Sequence, residues 1–163
     1  MESSTGWSDF LVASSGATAA LAGLVFVALS INLGKILALG GVTERAGETI
    51  LLLASGLVGS LAALIPHETS SQLGLWLLIL WCPTWIVPTL IQIRDFANRR
   101  YYRAYQAVIR FILFQSATLP LLLAGLSLRG HLDGGLHWFA FGLIVSLIVA
   151  LYNAWVLLVE IMR

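Results

Sequence analysis

The chain has 163 residues, of which 59% are hydrophobic and 10% charged, and its formal net charge is +1. That balance excludes an ordinary soluble domain and any global attraction to nucleic acid, and the length suits one compact domain over residues 1–163. A single cysteine, Cys82, excludes an intrachain disulfide and reads as a small apolar side chain.

Five apolar stretches follow one another, at 10–33, 50–65, 73–93, 107–128 and 138–162. Each is near the ~20 residues that a helix needs to cross a ~30 Å hydrocarbon core. The expected fold is all-α, a polytopic transmembrane bundle of five helices with no soluble domain left over. Residues 1–9 hold Glu2 and Asp9 but no Lys or Arg, unlike the basic start of a secretory signal, so the first stretch is expected to stay as a span.

The first stretch is unusually small in side-chain size between Ala13 and Gly23. On a 3.6-residue period, Asp9, Ala13, Gly16, Ala20, Gly23, Val27 and Ser30 form one stripe. Small residues so spaced let two helix backbones approach closely in lipid, where no hydrophobic drive exists between helices. Two arrangements follow. In one, the first and second spans form a tight hairpin, the second offering the run from Ala54 to Ser60, in which Gly56 and Ser60 make a second small pair. In the other, the first span packs against copies of itself round an axis.

Gly34, Gly40 and Gly41 are expected to break the first helix, and Thr43 to cap the second, with Glu44 favouring its dipole. Pro66 should end the second helix. Pro83 and Pro88 should kink the third. In the fourth, Pro120 follows Ser116 and Thr118, which are placed to take up freed carbonyls. Trp81 and Trp85 fall mid-span, either packed on neighbours or facing lipid.

The charges set an orientation. The segment from Arg94 to Arg103 holds four Arg in ten residues. With it in the cytoplasm, the N-terminus is outside and the C-terminus inside. Eight basic residues are then inside and only Arg129 outside, as the positive-inside rule asks. Tyr101, Tyr102, Tyr105, Tyr152 and Trp155 gather at the inner interface, and Trp7, Trp76 and Trp138 at the outer one, the level that amphipathic rings prefer. All basic residues but Lys35 are Arg. With the many Ala, Gly and Leu, this suggests a GC-rich bacterial genome and hence a bacterial inner (cytoplasmic) membrane.

Polar groups in a bilayer are costly and mark candidate sites. An inner group comprises Asn32, Gln92, Arg110, Asn153 and Glu160. Arg110 and Glu160 stand at similar depth on consecutive spans, so Arg110 either pairs with Glu160 or snorkels to the headgroups. Gln115, nearer the middle, suits an interhelical hydrogen bond. Arg99, Arg100 and Arg103 can also hold anionic lipid headgroups, each worth ~1 kcal/mol near the surface. On the outer side, His67, His131, Asp133 and His137 are weak metal candidates beside Glu68 and Asp9, since no spacing matches a metal motif. No nucleophile motif accompanies them, so neither an enzyme nor a cofactor is expected.

The segment 19–32, Ala-Ala-Leu-Ala-Gly-Leu-Val-Phe-Val-Ala-Leu-Ser-Ile-Asn, resembles the first helix of a widespread group of small bacterial membrane proteins without an assigned function. With Trp7 to Phe10 it covers about a fifth of the chain. The resemblance implies an integral membrane protein.

Three function classes are open. One is a homo-oligomeric, cation-conducting, pore-like assembly with the first helix near the axis and Asp9 at the mouth, since carboxylate rings favour cations. Another is a non-catalytic accessory subunit of a larger membrane complex. The third is a metal-handling protein or membrane enzyme using the outer histidines. The expected partners are membrane lipids and either copies of the chain or another membrane subunit.

Overall fold

The computed structural model describes residues 7–38, 42–65, 69–97 and 104–162. Among them are six helices and no strand: α1 (Ser8–Ile31), α2 (Leu33–Ala38), α3 (Val42–Ala63), α4 (Ser70–Ala97), α5 (Ala104–Leu128) and α6 (Leu136–Met162). All but α2 are long and apolar enough to cross a membrane. The all-α, five-span expectation is met, and α2 is an additional short helix in the first connection. Contacts gather in two compact units, Met1–His67 with Ser146–Arg163, and Glu68–Val145. The halves of α6 fall in different units.

In the first unit α1 pairs with α3. Val25, Leu53 and Ala150 form a buried cluster, flanked by Leu21, Ala22, Leu29, Ile50, Leu147 and Ala154. A second cluster joins Ile36, Val42, Ala46 and Leu157 beside Leu29. The helix break falls at Asn32 rather than at Gly34. Asn32 Nδ2 donates to the Ala28 carbonyl at 2.9 Å and its backbone N–H donates to Leu29 at 3.2 Å. These bonds use carbonyls that the end of α1 leaves over. The chain is helical again from Leu33, so Gly34 lies inside α2. Thr43 does not cap α3, which already starts at Val42. Its hydroxyl donates instead to the Ile36 carbonyl at 3.1 Å and ties α3 to α2. After α3, the Leu64 and Ile65 N–H groups bond three residues back, tightening the last turn ahead of Pro66.

In the second unit α4 starts with a reciprocal cap that the sequence reading missed. Gln72 Oε1 accepts from the Thr69 N–H at 3.1 Å, and the Gln72 N–H donates to Thr69 Oγ1 at 3.3 Å. The helix continues through Pro83 and Pro88 to Ala97, so Arg94 and Asp95 are helical rather than loop residues. Gly74 meets α5 closely: a Cβ there would fall 2.7 Å from the Gly125 carbonyl oxygen. Trp81 stacks obliquely on Phe139 of α6, with centroids 5.3 Å apart. Near Pro120 the hydroxyls act differently from expectation. Ser116 donates to Leu113 and Thr118 to Phe114, both at 2.8 Å. The carbonyl that Pro120 frees is that of Ser116, four residues before it. These hydroxyls therefore satisfy their own needs and not the proline's.

Candidate functional site

The stripe on α1 is exposed along its whole length: Asp9, Ala13, Gly16, Ala20, Gly23, Val27 and Ser30. A Cβ added to Gly16 or Gly23 would meet nothing within 4 Å. The helix packs instead through Leu11, Ser14, Thr18 and Val25, which lie roughly half a turn round from the stripe. The hairpin of the first two spans thus forms, but without this face of α1. On α3 the pair Gly56 and Ser60 is buried, as the hairpin reading asked, with Ser55 and Gly59, while Ala54 of the same run is exposed. The contrast between the helices is large, with 17% of the α1 span buried and 56% of the α3 span. Hydroxyls on and beside the stripe turn to carbonyls of their own helix. Ser30 Oγ donates to the Phe26 carbonyl and Ser15 Oγ to Val12, both at 2.8 Å. That is the local solution for a hydroxyl with no water to bond. Asp9, in the first turn, is the one charged side chain on the stripe.

The inner polar residues are divided between the two units. Gln92, Arg110 and Asn153 are buried, but Gln92 and Arg110 belong to the second unit and Asn153 to the first. Asn32 is half-buried and uses its amide on its own helix. Glu160 is on α6, with its side chain outside the described residues. Arg110 is 4% exposed, so it does not snorkel outward as one reading had it, and neither it nor Gln92 lacks a partner. Two buried acids were missed, Glu48 on α3 and Asp95 on α4. Helical spacing could have found both. Glu48 shares a face with Leu52, Ser55 and Gly59, and Asp95 stands one turn after Gln92.

Gln115 bridges α4 and α5 as expected. Its Oε1 accepts from Trp85 Nε1 at 2.6 Å and its Nε2 donates to Thr89 Oγ1 at 3.1 Å. Trp81 and Trp85 therefore both pack on protein.

The α5–α6 connection is held by backbone geometry. The Gly130 N–H bonds to Ser127 and the His131 N–H to Leu126, at 2.9 and 3.2 Å, with Gly130 at φ +81°. This pair closes the helix end with a left-handed residue that favours glycine. Ser127 Oγ then donates to the Leu132 carbonyl and accepts from the Gly135 N–H. Trp138 Nε1 donates to the Asp133 carbonyl at 3.0 Å. The loop's own framework thus accounts for its shape. His131, Asp133 and His137 are exposed. Among the described residues no three His, Cys, Asp or Glu side chains gather to hold a metal ion. His67, Arg99, Arg100 and Arg103 lie outside the described residues. Cys82 is exposed on α4. Tyr105, Tyr152, Trp155, Trp76 and Trp138 are exposed, and Tyr101 and Tyr102 lie outside the described residues. No protein-family model, curated protein or solved structure matches the chain.

Proposed function

We propose that this small multi-pass membrane protein works as a homo-oligomeric, pore-like assembly in a bacterial inner membrane, with α1 near the axis and Asp9 around the outer mouth. The observation that carries the reading is the exposed small-residue face of α1, on which Gly16 and Gly23 meet nothing in the single chain. A face without bulk is the kind that lets helices of separate copies approach to backbone contact. The same face is headed by a carboxylate, and a ring of carboxylates concentrates cations at a mouth. The orientation is N-out and C-in, from the eight-to-one split of basic residues.

The test combines chemical cross-linking in membranes, mass of the purified particle and ion flux in liposomes. The wild type is expected to run as a fixed multiple of the chain and to pass cations. Gly23→Leu should leave the single chain folded, since space surrounds that position, and should shift the particle towards monomer. Asp9→Asn keeps the size of the side chain in the first turn but removes the charge, so assembly should persist while preference for cations over anions falls. A wild-type oligomer that passes no current under varied voltage, pH and ions removes the pore. A fixed complex with a different membrane protein, cross-linked through α1, would replace it with the accessory-subunit reading.

A further inference from the structure

Two prolines lie inside α4, Pro83 and Pro88. Proline carries no N–H, so the helix lacks the bonds that these positions would donate to the Ile79 and Thr84 carbonyls. The Thr84 hydroxyl replaces neither bond, since it donates to the Leu80 and Trp81 carbonyls at 3.2 and 3.0 Å. Pro83 is exposed and Pro88 buried, so the second break is the one that faces protein. Two hydrogen bonds from α5 straddle it. Trp85, just before Pro88, donates to Gln115 Oε1 at 2.6 Å, and Thr89, just after it, accepts from Gln115 Nε2 at 3.1 Å. One side chain of α5 therefore holds α4 on both sides of a missing backbone bond. Away from Gln115 the two ends of the hairpin differ. At the start of α4, a Cβ on Gly74 would fall 2.7 Å from the Gly125 carbonyl oxygen, so the helices are close. At its end they stand apart round a cavity of about 250 Å³, with Ile93 and Phe96 on one side and Ala107 and Phe111 on the other. The end of α4 thus has a weakened joint behind it and open space beside it.

We infer that Pro88 is a hinge and Gln115 its latch: when the Trp85–Gln115–Thr89 bonds open, the end of α4 from Thr89 to Ala97 swings towards the start of α5. Proline is a common cause of sharp bends in helices, and here it supplies the joint. Closing the space regains dispersion contacts that its lining atoms lack. Opening the latch gives up two hydrogen bonds between helices. The two terms oppose each other, which is what an element with two positions requires. The moving segment carries Gln92 and Asp95, both buried, so the swing relocates costly polar groups of the span. Neither the oligomer nor the pore reading is needed for this device.

Distances between paired spin labels on the full chain in lipid nanodiscs test it, with labelled chains diluted in unlabelled ones so that only pairs within one chain are read. In a Cys82→Ser background, Ala97→Cys with Ile109→Cys reports on the end of α4, and Leu75→Cys with Leu126→Cys reports on the close end of the hairpin. All four positions are exposed. Gln115→Leu should raise the share of a shorter distance in the first pair about fivefold, the equilibrium weight of one hydrogen bond between membrane helices. The second pair should not change. Thr89→Val removes one of the two bonds and should act in the same direction, which serves where Gln115→Leu fails to fold. Pro88→Ala restores the backbone donor, and combined with either latch variant it should bring back the native distance. An unchanged first pair in a folded Gln115→Leu or Thr89→Val protein overturns the hinge. So does an equal change in both pairs, which is a general loosening of the hairpin. A shorter distance that persists with Pro88→Ala also overturns it.

Discussion

A serine or threonine within a bilayer has no water to bond, and most of the described ones here turn to a carbonyl of the preceding turn: Thr18 to Ser14, Thr49 to Arg45, Thr84 to Trp81 and Thr118 to Phe114. Ser60 Oγ and Trp81 Nε1 are buried and find no hydrogen-bond partner among the described residues. An amide is too demanding for the local solution, since it must place both donors and an acceptor. Gln115 meets that demand across helices, with Trp85 and Thr89. Its need for a partner was legible from a lone amide in mid-span; the partners' identity depends on the register of two helices. Gln115→Leu should cost about 1 kcal/mol, near the upper part of the measured range for hydrogen bonds between membrane helices. The double variant Trp85→Phe/Gln115→Leu should recover part of that loss, because it leaves no indole N–H stranded. Equilibrium unfolding in mixed micelles reads both. A double variant less stable than the sum of the two singles would contradict the bond.

At the scale of the helix, glycines of equal appearance in the sequence have opposite roles. Gly74 and Gly125 form the seam of the α4–α5 hairpin, where a Cβ on Gly74 would approach backbone. Gly16 and Gly23 face open space. Gly74→Ala should therefore overpack the seam and destabilise the protein by about 1–3 kcal/mol. Gly16→Ala should leave the single chain's stability unchanged or raise it by up to ~1 kcal/mol through helix propensity. Thermal unfolding in detergent compares them, and equal losses at the two positions would show that the hairpin does not approach at Gly74. The sequence reading found the small stripe on α1 but passed over the Gly74–Gly125 pair. Periodicity reveals which residues share a face, and close approach also needs a small residue opposite on the partner.

At the scale of the molecule, five spans and the basic residues define a testable topology. Reporter fusions after residue 98 and at the C-terminus should both read as cytoplasmic, because the arginine-rich connection and Arg163 resist transfer across the membrane. An external signal at either position would reverse the N-out, C-in orientation and place Asp9 on the cytoplasmic side. The α4 helix has 28 residues, about 42 Å at 1.5 Å per residue, so it exceeds the hydrocarbon core. Its last turn, with Arg94, can therefore reach the headgroup level.

The sequence by itself determined the solvent, the helical class, the number of spans and the positions of the costly polar residues, because hydropathy and charge are properties of single segments. It also marked the α1 stripe. Tertiary structure alone decided that α1 packs through Leu11, Thr18 and Val25 and leaves the stripe uncovered. It decided as well that Arg110 is buried, and that the α5–α6 loop is shaped by Ser127, Gly130 and Trp138. Those outcomes depend on which faces meet and at what register. Several faces of a membrane helix are nearly equally apolar, so hydropathy cannot rank them, and the fit of one side-chain surface to another makes the choice.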